Sequence, residues 1–221
     1  SVTLRGANSL GINTNQIVNQ TTVNFEIKTP YSIKSDNKSY AVDMDVYQLP
    51  AFYQYYSVPK IDKDAFLIAN ITDWEKYNLL EGEANIFFED AFIGKSILDV
   101  RYATDTLQIS LGRDKSISIN REKIKDFTTK KLIGSKKEES RAWTTTVKNN
   151  KSQKINIMII DQIPVTTLEE IEIKDIKISG AKHNNVNGEL KWEFILEPNN
   201  KKELELRYTV KYPKNQNLIL E

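Results

Sequence analysis

The chain has 221 residues, 39% of them hydrophobic, with 31 Lys and Arg against 30 Asp and Glu and no cysteine. That length allows one large domain or two small ones with a true core, and the charge balance argues against a broad nucleic-acid or anionic-membrane surface. The missing cysteines exclude disulfides, thiolate nucleophiles and Cys-based metal sites, and no apolar run approaches the roughly 18 residues of a spanning helix.

Taken in chain order, Ser1 to Gln20 is rich in Asn, Thr, Gln and Ser. This composition predicts a linker or frayed start over residues 1–20. Ser1 to Asn15 lacks the basic start and apolar centre of a signal peptide, so the chain is expected to be either cytoplasmic or a mature or excised piece of a longer exported protein, the abrupt start pointing to the second. Val23, Phe25 and Ile27 then alternate with Asn24, Glu26 and Lys28, and Val42, Met44 and Val46 with Asp43, Asp45 and Tyr47. A period of two with one apolar side predicts half-buried antiparallel strands. Thr72 to Leu80 predicts one or two helical turns capped by Thr72 or Asp73. Gly94, inside a strand-like run, predicts a bulge or a close approach.

Leu107, Ile109 and Leu111 resume the alternation, followed by Ile117 and Ile119 after Gly112-Arg113-Asp114-Lys115. The Lys-rich run Lys130 to Lys137, followed by Glu138 and Glu139, reads as a solvated loop. Asn149-Asn150-Lys151 reads as a tight hairpin. Ile155, Ile157 and Ile159 alternate before Asp161-Gln162-Ile163-Pro164, where Pro164 predicts a strand end or a crossing between sheets. Leu168 to Ile178 reads as two strand segments joined by a bulge near Lys174-Asp175. Pro198-Asn199-Asn200 divides the last two strands, the second carrying Leu204, Leu206, Tyr208 and Val210.

Many short strands at regular spacing predict an all-β protein of two antiparallel β-sandwich-like domains, the second immunoglobulin-like. The boundaries expected are 21–117 for the first domain, 118–215 for the second and 216–221 for a tail. Trp143 and Trp192 are expected inside the second sandwich.

Several segments in order carry a family resemblance: Phe25 to Ser35 (FEIKTPYSIKS), Val58-Pro59-Lys60, Ala65 to Gly94, Leu107 to Lys115 (LQISLGRDK), Val147-Lys148-Asn149, Asp161 to Val165 (DQIPV) and Tyr208 to Lys214 (YTVKYPK). The set resembles the C-terminal domain, of unknown function, of mucoidy-inhibitor-A-like bacterial proteins. The resemblance implies a larger exported protein, with an N-terminal β domain and a coiled coil ahead of this β-rich domain. It also implies a place in the periplasm or cell envelope and a link to extracellular polysaccharide. It supplies no catalytic residue and no cofactor. Leu4 to Gly11 has no place in the family pattern.

No catalytic residue, metal site or cofactor is expected. The single histidine, His183, stands in the polar stretch Ala181 to Gly188, a poor setting for a triad or a metal. Asp43 with Asp45, Asp62 with Asp64, and Glu81 with Glu83 are spaced two apart, which on a strand puts each pair on one face. Such pairs would serve a carboxylate-dependent hydrolase or bind calcium, but they also suit a solvent-facing strand. No phosphate-binding glycine motif occurs. The remaining candidates are aromatic. Tyr53 and Tyr55 share one strand face and Phe52 and Tyr56 the other, so one face is expected in the core and the second as a platform for sugar rings or partner side chains. Trp74 is expected as a lid over the sheet. The residues and the resemblance together favour a non-enzymatic interaction or scaffold module of an exported cell-envelope protein, with an envelope protein or a polysaccharide as partner. The alternative is a carbohydrate-binding module using Tyr53, Tyr55, Tyr56 and Trp74.

Overall fold

The computed structural model describes residues 2–4, 14–18, 23–27, 32–38, 40, 47–88, 91–98, 100 and 105–221. The strands are β1 (Val2–Leu4), β2 (Thr14–Val18), β3 (Val23–Ile27), β4 (Tyr47–Leu49), β5 (Ala51–Val58), β6 (Asp62–Thr72), β7 (Gly82–Phe88), β8 (Ala91–Leu98) and β9 (Thr106–Arg113). They continue as β10 (Ile117–Lys123), β11 (Thr129–Ile133), β12 (Lys136–Asn149), β13 (Ile155–Gln162), β14 (Glu172–Lys177), β15 (Lys182–His183), β16 (Glu189–Leu196) and β17 (Lys201–Pro213). The fold is all-β and sandwich-like, as the alternation predicts. Among the described residues, no helix is long and apolar enough to cross a membrane.

The chain divides into two compact units, one of Ser1–Tyr53 with Ala69–Leu111, the other of Gln54–Ile68 with Gly112–Glu221. In the first unit β1 pairs with β4, β2 with β3, and β7 with β8, all antiparallel. Ile86 pairs with Gly94 but Phe87 with Phe92, so the glycine stands at the bulge its sequence position suggested. Leu49, Ala69, Ile71, Ile86, Leu107, Ile109 and Leu111 are buried there. The Thr72 to Leu80 helix shortens to a single 3-10 turn, Trp74–Tyr77, preceded by Asp73 in a left-handed conformation with no side-chain cap. Val42, Met44 and Val46 lie outside the described residues.

The second unit is built from two sheets. One has the order β10-β12-β17-β14, with β11 also on β12. The other runs β15-β16-β13 and then takes Gln54–Val58 of β5 and Asp62–Ile68 of β6. β12 pairs antiparallel with β10, β11 and β17, β17 with β14, and β16 with β13 and β15, whereas β13 and β5 run parallel, Ile157 facing Tyr55 and Ile159 facing Ser57. The inward positions form the core: Ile117 and Ile119 of β10, Trp143 and Val147 of β12, Ile155, Ile157 and Ile159 of β13, Trp192 of β16, and Leu204, Leu206, Tyr208 and Val210 of β17. Both Trp143 and Trp192 are buried, the first stacked on Tyr208 at 5.7 Å between ring centroids.

Three local expectations change. Asn149-Asn150-Lys151 is not a hairpin, because β12 and β13 lie in different sheets. The buried Asn149 amide instead donates to the carbonyls of Gln153, Leu196 and Glu197 at 2.9, 3.0 and 3.2 Å, tying two sheet-to-sheet connections together. The Lys130 to Lys137 run is not a solvated loop but part of the β11–β12 hairpin. There Lys130 lies opposite Glu139 and Lys131 opposite Glu138, and opposite charges across a ladder stabilise it. The segment around Lys174-Asp175 is one strand, β14, with a register shift between Lys174 and Lys177 and Asp175 at φ 54°, which places the predicted bulge.

Candidate functional site

The candidate aromatics separate by face and by unit. Tyr55 is 8% exposed, on the inward side of β5 next to Ile157. Its hydroxyl donates to Asp114 Oδ2 at 2.9 Å, and Lys151 Nζ meets the same oxygen at 2.6 Å. Burial, then the hydrogen bond to Asp114, pushes the Tyr55 hydroxyl above its ordinary value. Tyr55 is therefore a core residue rather than part of a platform. Tyr56, one residue on, points to the opposite side of the sheet and is half-buried. Tyr53 and Trp74 belong to the first unit and are both half-buried.

The paired carboxylates are engaged by cations. Arg113 Nη1 lies 2.6 Å and Lys115 Nζ 2.7 Å from Asp64, and Arg113 Nη2 lies 3.4 Å from Asp62. Lys115 and Arg113 hold the Asp64 carboxyl below the usual range. Glu83 pairs with Lys95 at 2.6 Å. Asp43 and Asp45 lie outside the described residues. His183 sits on the short strand β15, opposite Leu190. Among the described residues, no three His, Asp or Glu side chains gather to hold a metal ion.

The outer face of the sheet containing β13, β5 and β6 has a distinct make-up. Tyr56 pairs in register with Met158, which pairs with Glu193. The Tyr56 and Phe66 rings lie 5.4 Å apart, and the Arg113 guanidinium sits over Phe66 at 5.2 Å. Around this apolar centre stand Arg113, Asp64 and Lys115 on one side and the Lys182–Glu193 pair, at 2.8 Å, on the other. Aromatic rings and a methionine at the centre with a charged rim resemble the composition of protein interfaces.

A second cluster was not singled out in the sequence. Arg121 of β10 donates to Asp161 Oδ2 at 2.7 Å, with side chains only 7% and 2% exposed, and its guanidinium stacks over Trp143 at 4.6 Å. Arg121 Nη1 also reaches Glu221 Oε1 at 2.5 Å, and Lys60 reaches Glu221 Oε2 at 3.0 Å. Lys123 and Arg141 each donate to the main-chain oxygen of Glu221 at 3.0 Å. Arg141 continues the network to the buried Glu139 at 2.7 Å, where Lys130 and the Tyr212 hydroxyl also bind. Burial alone would raise the Glu139 carboxyl, but Tyr212, Lys130 and Arg141 outweigh it and hold it at about 2. Burial and the bond to Glu139 push the Tyr212 hydroxyl up to about 12. The signal for this cluster is parity: Arg121 follows Ile117 and Ile119, and Asp161 follows Ile157 and Ile159, each at an inward position.

Comparison with known proteins places the chain in a family. A model described as Domain of unknown function (DUF4139) matches residues 5–214, so the chain belongs to the DUF4139 family. It is also similar to Protein F37C4.5 of Caenorhabditis elegans, 24% identical over 213 residues, covering 89% of this chain and 38% of that protein. The chain thus spans about two-fifths of the length of this relative. No solved structure matches.

Proposed function

We propose that this DUF4139 domain is a non-enzymatic interaction module and that it binds a partner protein through the outer face of β13, β5 and β6. The observation that carries the reading is the Tyr56–Phe66–Met158 centre with its rim of Arg113, Asp64, Lys115, Lys182 and Glu193. A sheet face that meets only water alternates to polar side chains, whereas this one keeps rings and a thioether at its middle. The partner is a surface with an apolar patch and a mixed-charge border. The non-enzymatic part of the proposal is supported by the carboxylates: Asp64, Glu83, Glu139 and Asp161 each meet a Lys or Arg nitrogen within 2.9 Å. The cations hold Asp64 and Glu139 below the usual carboxylate range, which suits these two to ion pairs and not to donating protons as general acids.

A cell-envelope location, outside the cytoplasm and within a larger exported protein, forms part of the proposal. It is supported by the resemblance to mucoidy-inhibitor-A-like proteins. A second reading, carbohydrate binding, is favoured by the same ring pair, since Tyr56 and Phe66 offer π faces beside the Arg113 donors. It now rests on Tyr56 and Phe66, Tyr55 being in the core.

Photo-crosslinking residues at positions 56 and 158, with exposed position 152 as control, test the proposal in cells making the whole protein. A discrete protein adduct at 56 and 158, absent at 152 and lost with Met158→Glu introduced beside the position-56 probe, is expected. A dose-dependent glycan-array hit lost on Tyr56→Ala would move the reading to carbohydrate. Neither adduct nor hit, from a folded protein, overturns both.

A further inference from the structure

We propose that Lys60, Arg121, Lys123 and Arg141 form a recognition site for an extended peptide in which aliphatic residues precede a glutamate, and that Asn217–Glu221 of this chain occupies it in cis. The site uses none of the residues of the Tyr56 face.

Charge gives the first argument. Lys60, Arg121, Lys123, Lys130 and Arg141 converge here, and among the described residues Asp161 and Glu139 are the carboxylates outside the tail that pair with them. A surplus of cations around a half-buried cleft selects an anion. Geometry gives the second. The Glu221 side chain receives two cations on its two oxygens, and its main-chain oxygen receives two more. Such charge-assisted contacts read a carboxylate and the backbone that carries it, which a free anion would not satisfy. The third is the wall beside it. A groove of about 200 Å³ is lined by Ile163, Pro164, Val165 and Tyr208, with the half-buried Leu220 of the tail beside it and Ile219 at its rim. Pro164 has no N–H to leave unpaired, so this edge offers apolar surface to aliphatic side chains. Ile219 itself remains fully exposed and Leu220 half-buried, so the tail fills the site incompletely. A peptide with better-placed aliphatic residues can displace it.

The probe is a fluorescein-labelled peptide, acetyl-Asn-Leu-Ile-Leu-Glu-amide, read by anisotropy against the full chain. In the Glu221→Ala chain the peptide should bind saturably and at least about ten-fold more tightly than in the unaltered chain, where the tail competes. The same peptide ending in Gln should lose that binding. Lys60→Ala and Lys123→Ala, placed in the Glu221→Ala chain, should weaken it without moving the melting temperature by more than a few degrees. Glu221→Gln, which keeps the tail's shape, is the second release variant. A folded release variant that shows no saturable binding, or that binds the Glu and Gln peptides alike, overturns the proposal.

Discussion

Arg121 and Asp161 form a buried ion pair that joins the two sheets of the second unit, Arg121 donating Nε to Asp161 Oδ2 at 2.7 Å and Nη2 to Oδ1 at 3.3 Å. Trp143 covers the guanidinium from one side, and Asp161 Oδ1 also accepts from the Gln162 main-chain N–H. Removing one partner strands a charge inside the protein, whereas removing both does not. Asp161→Asn should therefore lower stability by about 3 kcal/mol in urea unfolding, partly offset by Glu221 on the same guanidinium. The double replacement Arg121→Met with Asp161→Leu should lie within about 1 kcal/mol of the unaltered chain. A double variant as unstable as Asp161→Asn alone would contradict this account.

Acid should weaken the second unit through Glu139. Its carboxyl lies at about 2 in the folded protein against an ordinary 4.5, so its stabilisation is fully present above pH 4.5 and is lost as the pH falls from there towards 2. The shift corresponds to about 3 kcal/mol at most. Asp64, Asp114, Glu138 and Glu221 are lowered in the same direction and add to the loss. The urea midpoint should therefore fall steadily below pH 4.5, and Glu139→Gln should make that fall shallower.

Asn149 carries an unusual share of the sheet-to-sheet connections. Its fully buried side chain donates to three carbonyls, and its Oδ1 accepts the Lys151 N–H at 3.0 Å. Asn149→Ala should cost about 3 kcal/mol, because the carbonyls are left without a donor. Asn149→Asp, which sets an acceptor against three acceptors, should cost more. Thermal unfolding of the two variants checks the order.

Gly188 allows no side chain. It sits at φ 74°, and a Cβ there would lie 2.1 Å from the Ile163 carbonyl oxygen. Its own carbonyl accepts the Ile163 N–H at 2.9 Å, locking the turn before β16 to the end of β13. Gly188→Ala should cost about 2 kcal/mol or more, while Gly134→Ala, at φ 60° with open space around it, should cost about 1 kcal/mol. Melting temperatures of the pair separate the steric clash from the backbone preference alone.

The sequence by itself determined the fold class, because a period of two over Ile155–Ile159 and Leu204–Val210 is a local property that only a half-buried strand satisfies. It also placed the bulges at Gly94 and Asp175, where the residue types allow the required backbone. Even the Arg121–Asp161 pair left a trace, since each breaks an apolar row at an inward position. What alternation cannot show is which strands meet. Tyr55 and Ile157 are neighbours only because β5 lies parallel to β13, a contact between distant segments that no local pattern encodes. That contact decides that Tyr55 is core and Tyr56 is surface, since alternation fixes that the two differ but not which side is covered. Likewise, four cations and a glutamate scattered from Lys60 to Glu221 become a site only when the sheets bring them together. Charge acts through space over a few ångströms, and position along the chain does not measure that distance.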